Sequence, residues 1–406
     1  MAESVRVTAL TELRSQYQRE LFEEFLPFMD RRVIDQEYGG FLCNVDLTGR
    51  RISTEKQALL EGRGTWVYSF LYNKLAPDPK YLEAARRSVA GLLRLRPAEG
   101  QSWPAAFSRT WEPSGGAGGL GTDLFIAEGL AEYSLAAKDE QCWALAKDVL
   151  LSGLRRYDET DYHCDVFYGP SVSAPPRAPR TLGYWFLHLR LATQLLLVEP
   201  DLAVQRVADR CIDAVMNYHY NPDFDLLNEV LNHDLSRPRD AFGQFVYCAH
   251  AIEVLWMILD EAVRRKDQAL YQLAAARLKR HIEVSWDDVY GGARRCLLNV
   301  DENLWQWDKA LWVQEEVLVA TLLVCEWTGD EWAWDWFTRM HQYTRSRFPL
   351  GCLGSPMWIF RADRKVTWDE KANQWVELYH HARHFMLNLL SVEHLLARHG
   401  APSNPF

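Results

Sequence analysis

The sequence predicts an all-α protein, a toroid of helical hairpins, and three features of the text carry that reading. Apolar residues return at i, i+3, i+4 and i+7 almost from end to end. Several helical stretches are apolar around most of their circumference, as suits an inner layer covered by other helices. Short Tyr-Gly-Gly inserts recur between helices, as loops of a repeating helical array would.

Taken in order, "LTELRSQYQRELFEEFLPFM" opens the chain as an amphipathic helix. "EYGGFLCNVDLTGR", Glu37 to Arg50, then runs from Tyr-Gly-Gly through a few extended residues to Val-Asp, the pattern of a hairpin. "LLEGRGTWVYSFLYN", Leu59 to Asn73, reads from Trp66 onward as an aromatic-rich inner helix. "GTDLFIAEGLAEYSLAAK" and "QCWALAKDVLLSGLRRY" form the next helical pair, and "TLGYWFLHLRLATQLLLV" is apolar enough for the inner layer. "AHAIEVLWMILDEAVRR" and "QALYQLAAARLKRHIEVSW" follow as helices, then a second hairpin, "VYGGARRCLLNVDE" from Val289 to Glu302, then the helix "ALWVQEEVLVATLLVCEW". "PLGCLGSPMWIFRADRK", Pro349 to Lys365, reads as a degenerate third copy of the insert, ahead of the closing helical text "ELYHHARHFMLNLL". The best candidate for a linker is "GPSVSAPPRAPR", Gly169 to Arg180. Helical text resumes on both sides of it, so it is expected to be a long loop within one domain spanning residues 1–406.

At 406 residues, 47.1 kDa and 48% hydrophobic residues the chain can bury a large core. Its net charge of −10 and pI near 5.7 argue against nucleic acid or an anionic membrane as the main partner, since both need a basic face. The first residues are polar with no apolar signal core, and the most apolar run is interrupted by His188 and Arg190, so a cytoplasmic protein is expected. Eight cysteines are scattered without a C-x-x-C pair, which suits reduced thiols better than zinc ligands or a disulfide framework. No Gly-rich phosphate loop, G-x-S-x-G elbow or dinucleotide fingerprint is present.

Four groups of residues could carry chemistry. Arg63 stands near the start of its helix, where the helix dipole disfavours a cation, so it is aimed either at a ligand oxygen or at a buried acid. His250 and Glu253 lie three apart on one helix, either as a satisfied core pair or as a general base with the carboxylate that orients it. Lys309, Trp312, Gln314 and Glu316 combine an aromatic face with hydrogen-bonding groups, which fits a sugar platform as well as an ordinary amphipathic helix. In "YHHARHFM", His380 and His384 share a helix face while His381 points elsewhere. The i, i+4 spacing of His380 and His384 could serve zinc, but the text between them lacks the glutamate of an H-E-x-x-H site, so no metal site is expected.

With these segments in order, the sequence resembles the N-acyl-D-glucosamine 2-epimerase family, a superfamily that includes cellobiose 2-epimerases and mannose or sulfosugar aldose–ketose isomerases. The resemblance covers nearly the whole chain. It rests on "EYGGFLCNVDLTGR", "LLEGRGTWVYSFLYN", "AHAIEVLWMILDEA", "WDKALWVQEEVL" and "NQWVELYHHAR" in that order. It implies a single (α/α)6 barrel with the active site at one mouth and short β-hairpins in the active-site loops. It also implies Arg63, His250, Glu253 and His380 as catalytic residues, with His188, Trp375 and Arg383 around the substrate, where the sugar-platform residues Trp312, Gln314 and Glu316 are also expected. The chain departs from the family pattern at Tyr184, where an asparagine is usual beside His188. It also has "EGR" for "QGR", "YCAH" for "PGH", and "GCLGSPMW" without the usual Glu-Trp pair.

The reaction the resemblance implies is proton transfer at C2 of an open-chain aldose, where the neighbouring carbonyl acidifies the C–H bond. His250 and His380 on opposite faces of C2 would invert it, Arg63 would stabilise the enediolate, and Glu253 would hold the tautomer of His250. Return of the proton to C1 instead would yield a ketose, so mannose isomerase or mannose/glucose 2-epimerase is the alternative. A glycoside hydrolase on the same barrel, using carboxylates such as Asp123, Glu229 and Glu316, is a more remote one. No cofactor is expected to be required. The expected partner is a monosaccharide or disaccharide, with no nucleic acid, no membrane and at most a second copy of the chain as a homodimer.

Overall fold

Tight links at one end of the helices and long links at the other organise this protein. The computed structural model describes residues 3–46, 49–98, 100–162, 164, 177–348, 360–362, 365–366, 376 and 378–406. Helix α1 (Glu3–Gln18) continues through a π-helical turn, Arg19–Phe25, into α2 (Leu26–Arg32). There follow α3 (Ala58–Lys74), α4 (Pro79–Arg94), α5 (Gly119–Ala137), α6 (Glu140–Asp158), α7 (Leu182–Leu196) and α8 (Leu202–Asp213). The remainder are α9 (Cys248–Arg265), α10 (Gln268–Ser285), α11 (Leu311–Trp327), α12 (Glu331–Arg347) and α13 (His380–Ala397).

Helices α3, α5, α7, α9, α11 and α13 pack in succession, and α13 closes back on α3 to make an inner ring. The intervening helices α4, α6, α8, α10 and α12 cover that ring, and α1 covers α13, which completes an (α/α)6 barrel. The sequence explains the layering. Outer helix α8 buries only Val204, Val207, Ala208 and Cys211, one stripe at helical period, whereas α11 buries nearly every residue from Leu311 to Trp327. A continuous apolar core runs from Leu10 in α1 to Leu395 in α13.

The inner-to-outer links are short because they are capped on both sides. Lys138 and Lys266 end α5 and α9 in the left-handed conformation (φ 55° and 57°). Asp78, Asp139, Asp201 and Asp267 then accept backbone N–H groups at the starts of α4, α6, α8 and α10. The long outer-to-inner links therefore gather at the other end, around the N-termini of the inner helices.

Two of those links repeat one construction. Asp35 accepts the N–H groups of Glu37 and Tyr38 and meets Lys56 Nζ at 3.3 Å, while Glu61 Oε1 accepts the Phe41 N–H at 2.8 Å. In the second copy Asp287 accepts from Val289 and Tyr290 and meets Lys309 Nζ at 2.6 Å, and Gln314 Oε1 accepts the Ala293 N–H at 2.8 Å. Gly40 (φ 81°) and Gly292 (φ 84°) need glycine twice over, for the left-handed backbone and because a Cβ would meet Glu61 in one copy and the Tyr343 ring in the other. Residues Cys296–Asn299 and Leu304–Gln306 form a hairpin at the second insert, displaced toward the C-terminus so that its second strand lies past the expected end at Glu302. Of the third insert, Phe360–Ala362 pairs antiparallel with Lys365–Val366, and residues 349–359 lie outside the described residues.

The seven described cysteines form no disulfide, and six of them are buried. Among the described residues no helix is long and apolar enough to cross a membrane.

Candidate active site

His250 is the third residue of α9, Trp312 the second of α11 and His380 the first of α13, so the inner helices present them at the same mouth. The Trp312 ring centroid lies 6.2 Å from that of His250 and 5.0 Å from that of His380, which brings the two histidines to one aromatic surface.

Each histidine is held through Nδ1 by a buried carboxylate. His250 Nδ1 meets Glu229 Oε1 at 3.0 Å, and His380 Nδ1 meets Glu316 Oε1 at 2.9 Å. A carboxylate can only accept, so His250 carries the Nδ1 proton and Nε2 is its proton-accepting nitrogen; Glu316 favours the same tautomer of His380, whose Nδ1 also lies 3.1 Å from Arg383 Nη2. Tyr247 and Phe186 stand edge-on to His250, with ring centroids 4.0 and 5.4 Å away, and fix the plane of its ring.

Behind His380 lies a buried ionic network. Arg383 Nη2 donates to Glu316 Oε1 at 2.5 Å and to Glu253 Oε1 at 2.6 Å, and Trp256 Nε1 donates to Glu316 Oε2 at 2.8 Å. Burial alone would push the Glu316 carboxyl up, but the Arg383 guanidinium and the His380 ring hold it well below the usual carboxylate range. Burial likewise works against the charge of Arg383, and Glu316 with Glu253 keeps that charge in place. Glu253, Glu316 and His380 lie close enough together to hold a metal ion, yet the guanidinium of Arg383 already supplies the positive charge there.

On the α3 side, the Arg63 guanidinium stacks over Phe125 at 4.2 Å and Tyr379 at 4.9 Å and remains partly exposed. Tyr379 donates its hydroxyl hydrogen to Glu128 at 2.9 Å, and Glu128 is ion-paired with Arg190.

The geometry corrects five readings of the sequence. Glu253 does not orient His250; it pairs with Arg383, which α13 inserts beside it, and Glu229 holds His250 instead. His188 faces away from the mouth: its ring stacks on Tyr157 of α6 and its Nδ1 bonds the Tyr184 carbonyl at 2.7 Å. Gln314 is buried and spends its amide on the backbone of Ala293 and Ala310, bracing the second insert rather than facing a substrate. Arg383 is 1% exposed and serves the two carboxylates, and Glu316 acts on His380 rather than on a sugar directly. Trp375 lies outside the described residues. Sequence reasoning had also missed Glu229 as the partner of His250; it had entered only as a hydrolase carboxylate.

Two outcomes follow from these assignments. Glu229→Gln is expected to lower turnover by about tenfold or more and to distort the pH–rate profile, because the amide admits the wrong tautomer of His250. In Glu253→Gln the effect is expected on melting temperature more than on that profile. Burial also pushes the His188 imidazole down to about 3, so the unfolded chain takes up a proton near pH 6.5 that the folded chain refuses. Its contribution is fully present above pH 6.5 and is lost as pH falls toward 3. His188→Gln is expected to flatten the fall of unfolding free energy in that window by about 1.4 kcal/mol per pH unit, read from denaturant titrations.

Comparison with known proteins bears on the same residues. The family model described as N-acylglucosamine 2-epimerase (GlcNAc 2-epimerase) matches residues 192–383, a range that contains His250, Glu316, His380 and Arg383. N-acylglucosamine 2-epimerase of Bos taurus is 22% identical over 90% of this chain and 87% of its own length. Cellobiose 2-epimerase of Bacteroides fragilis is 24% identical over 91% of this chain and 97% of its own.

Over residues 192–383 the chain matches the N-acylglucosamine 2-epimerase family.

A solved structure of D-mannose isomerase superposes with a TM-score of 0.75 over 94% of this chain and 98% of that one, at 13% identity, and shares the fold. Arg63 falls outside the segment matched by the family model.

Proposed function

We propose that this protein is a carbohydrate isomerase that moves a proton at C2 of an open-chain aldose, most like an N-acylglucosamine 2-epimerase. One observation carries the reading: two imidazoles on α9 and α13, each fixed by a buried carboxylate, stand beside one tryptophan ring. Aromatic surface packs on the C–H face of a sugar, and a histidine on either side of C2 can take the proton from one face and return it to the other. Arg63 stabilises the oxyanion that develops on O1 and O2, a contribution of about 3 kcal/mol in a water-poor site. The transfer involves no redox change, and Arg383 already neutralises the acidic cluster behind His380, so the reaction runs without a cofactor.

The same donors produce a ketose if one histidine carries the proton from C2 to C1, which is the second reading. Substrate choice rests with the segments whose sequence departs from the family pattern, "YCAH" at the start of α9 and residues 351–358, and these leave an unmodified hexose as a competitor of the N-acetylated sugar. The test is to incubate the protein separately with N-acetylmannosamine, N-acetylglucosamine, mannose, glucose, fructose and cellobiose and to identify the products. A C2 epimer supports the first reading and fructose from mannose the second; cleavage of a glycoside with no isomer formed would overturn both.

A further inference from the structure

Helices α11 and α13 carry a second set of ionisable side chains directly beside the first. Glu315 precedes Glu316, about 100° round the helix from it, and His381 and His384 lie to one side of the helix face that holds His380 and Arg383. This set faces the first helical segment rather than the barrel mouth. Tyr17 of α1 stands edge-on to His384 at 5.3 Å, and Phe25 of the π-helical turn stands edge-on to His381 at 5.8 Å.

We infer that Glu315, His381 and His384 form a binding site for one divalent transition cation of the zinc class. Their ligand atoms all lie within 4.8 Å of one another, and the side chains are 1%, 4% and 5% exposed. Glu315 Oε1 contacts His381 Nδ1 and stands 3.7 Å from His384 Nδ1. A separate observation points to a ligand. Neither ring nitrogen of His384 has a hydrogen-bond partner in the protein, and the second carboxylate oxygen of Glu315 is buried and unpartnered as well. A neutral imidazole has one donor and one acceptor to satisfy, and leaving both bare in a dry interior is costly. Orphaned groups facing each other from two helices are what a bound cation satisfies.

The donor chemistry selects the class of ion. Two imidazoles and one carboxylate match a zinc-type site, whereas calcium and magnesium require oxygen donors. Glu20 of the π-helical turn and Arg345 of α12, which also act on this cluster, are paired with each other, and Glu316 is paired with Arg383 and His380. A cation here ties α11 to α13 on their outer side and so holds the register of Glu316 and His380 on the inner side. It touches no reacting atom and takes part in no proton transfer. The inference does not depend on the substrate reading.

The full chain, with any affinity tag removed, is stripped with EDTA, dialysed, and titrated with Co2+ and separately with Zn2+. The expected result is one Co2+ per chain with visible d–d absorption of a low-coordinate site, displaced by Zn2+, and a melting temperature that rises by several degrees on loading either ion. Glu315→Gln and His384→Asn are each expected to abolish the absorption band. Should a variant fail to fold, the comparison of stripped and loaded wild type still decides. Absence of both the band and the thermal shift in the wild type would overturn the inference and assign the pocket to water. A band that survives in both variants would overturn it as well, because the ion would then lie elsewhere.

Discussion

His380→Asn is expected to lower turnover by about a hundredfold or more, the usual scale for removing a general acid or base. Its Nδ1 is anchored to Glu316, and asparagine can keep a hydrogen bond to that carboxylate while offering no titrating nitrogen to the substrate. His250→Asn is expected to cost as much for the same reason, with Glu229 as the anchored partner. His381→Asn should be much milder, since His381 faces Phe25 and Glu315 on the outer side of α13. Steady-state kinetics with the best substrate of the panel measure all three. If His381 proves essential and His380 dispensable, the assignment of "YHHAR" is displaced by one residue.

Arg383→Leu is expected to have the largest effect on stability. It leaves the carboxylates of Glu253 and Glu316 buried side by side with no cation between them, and breaking a buried ion pair from one side typically costs about 3–5 kcal/mol. Burial and mutual repulsion would drive one of the two carboxyls to take up a proton, which also removes the charge that holds His380. The variant should therefore lose activity and unfold at lower denaturant, whereas Glu253→Gln combined with Arg383→Leu should recover part of the stability. Equal stability of Arg383→Leu and wild type would show that the network behind His380 is not what the geometry indicates.

The fold was legible because the helices announce their layer. Outer helix α8 has a single apolar stripe and an aspartate cap, and inner α11 is apolar on all sides, so periodicity and composition separate the two. The Tyr-Gly-Gly inserts were legible because two left-handed glycines in sequence admit few conformations. The site was legible only in part, and the failures share a cause. An inner helix buried all round gives no sign of which residue faces the mouth, so nothing in the text of α7 corrects the place that the resemblance implies for His188, which instead stacks on Tyr157. Spacing on one helix also cannot show what a neighbouring helix brings. Glu253 lies three residues from His250, but Arg383 arrives from α13 and takes it.

Glu229 reaches His250 for a reason equally invisible in linear text. Its N–H donates to the Phe245 carbonyl at 3.0 Å and its carbonyl accepts from the Leu182 N–H at 3.1 Å, so two distant backbone segments hold it against α9. Gln314 was misread because a polar side chain in an apolar helix can serve the backbone of a neighbouring loop as readily as a ligand.

The central claim is that His250 and His380 exchange the C2 proton from opposite faces, and deuterium incorporation tests it most directly. Wild type, His250→Asn and His380→Asn are each incubated in D2O with the aldose that the panel identifies, starting from either C2 epimer, and C2 deuterium is followed by NMR. Wild type is expected to place deuterium at C2 of both epimers as they interconvert. Each variant is expected to stop interconversion yet still wash deuterium into one epimer, the one whose C2 proton faces the remaining histidine, with opposite preference in the two variants. Interconversion in wild type without solvent deuterium at C2, or the same epimer preference in both variants, would contradict the two-histidine account.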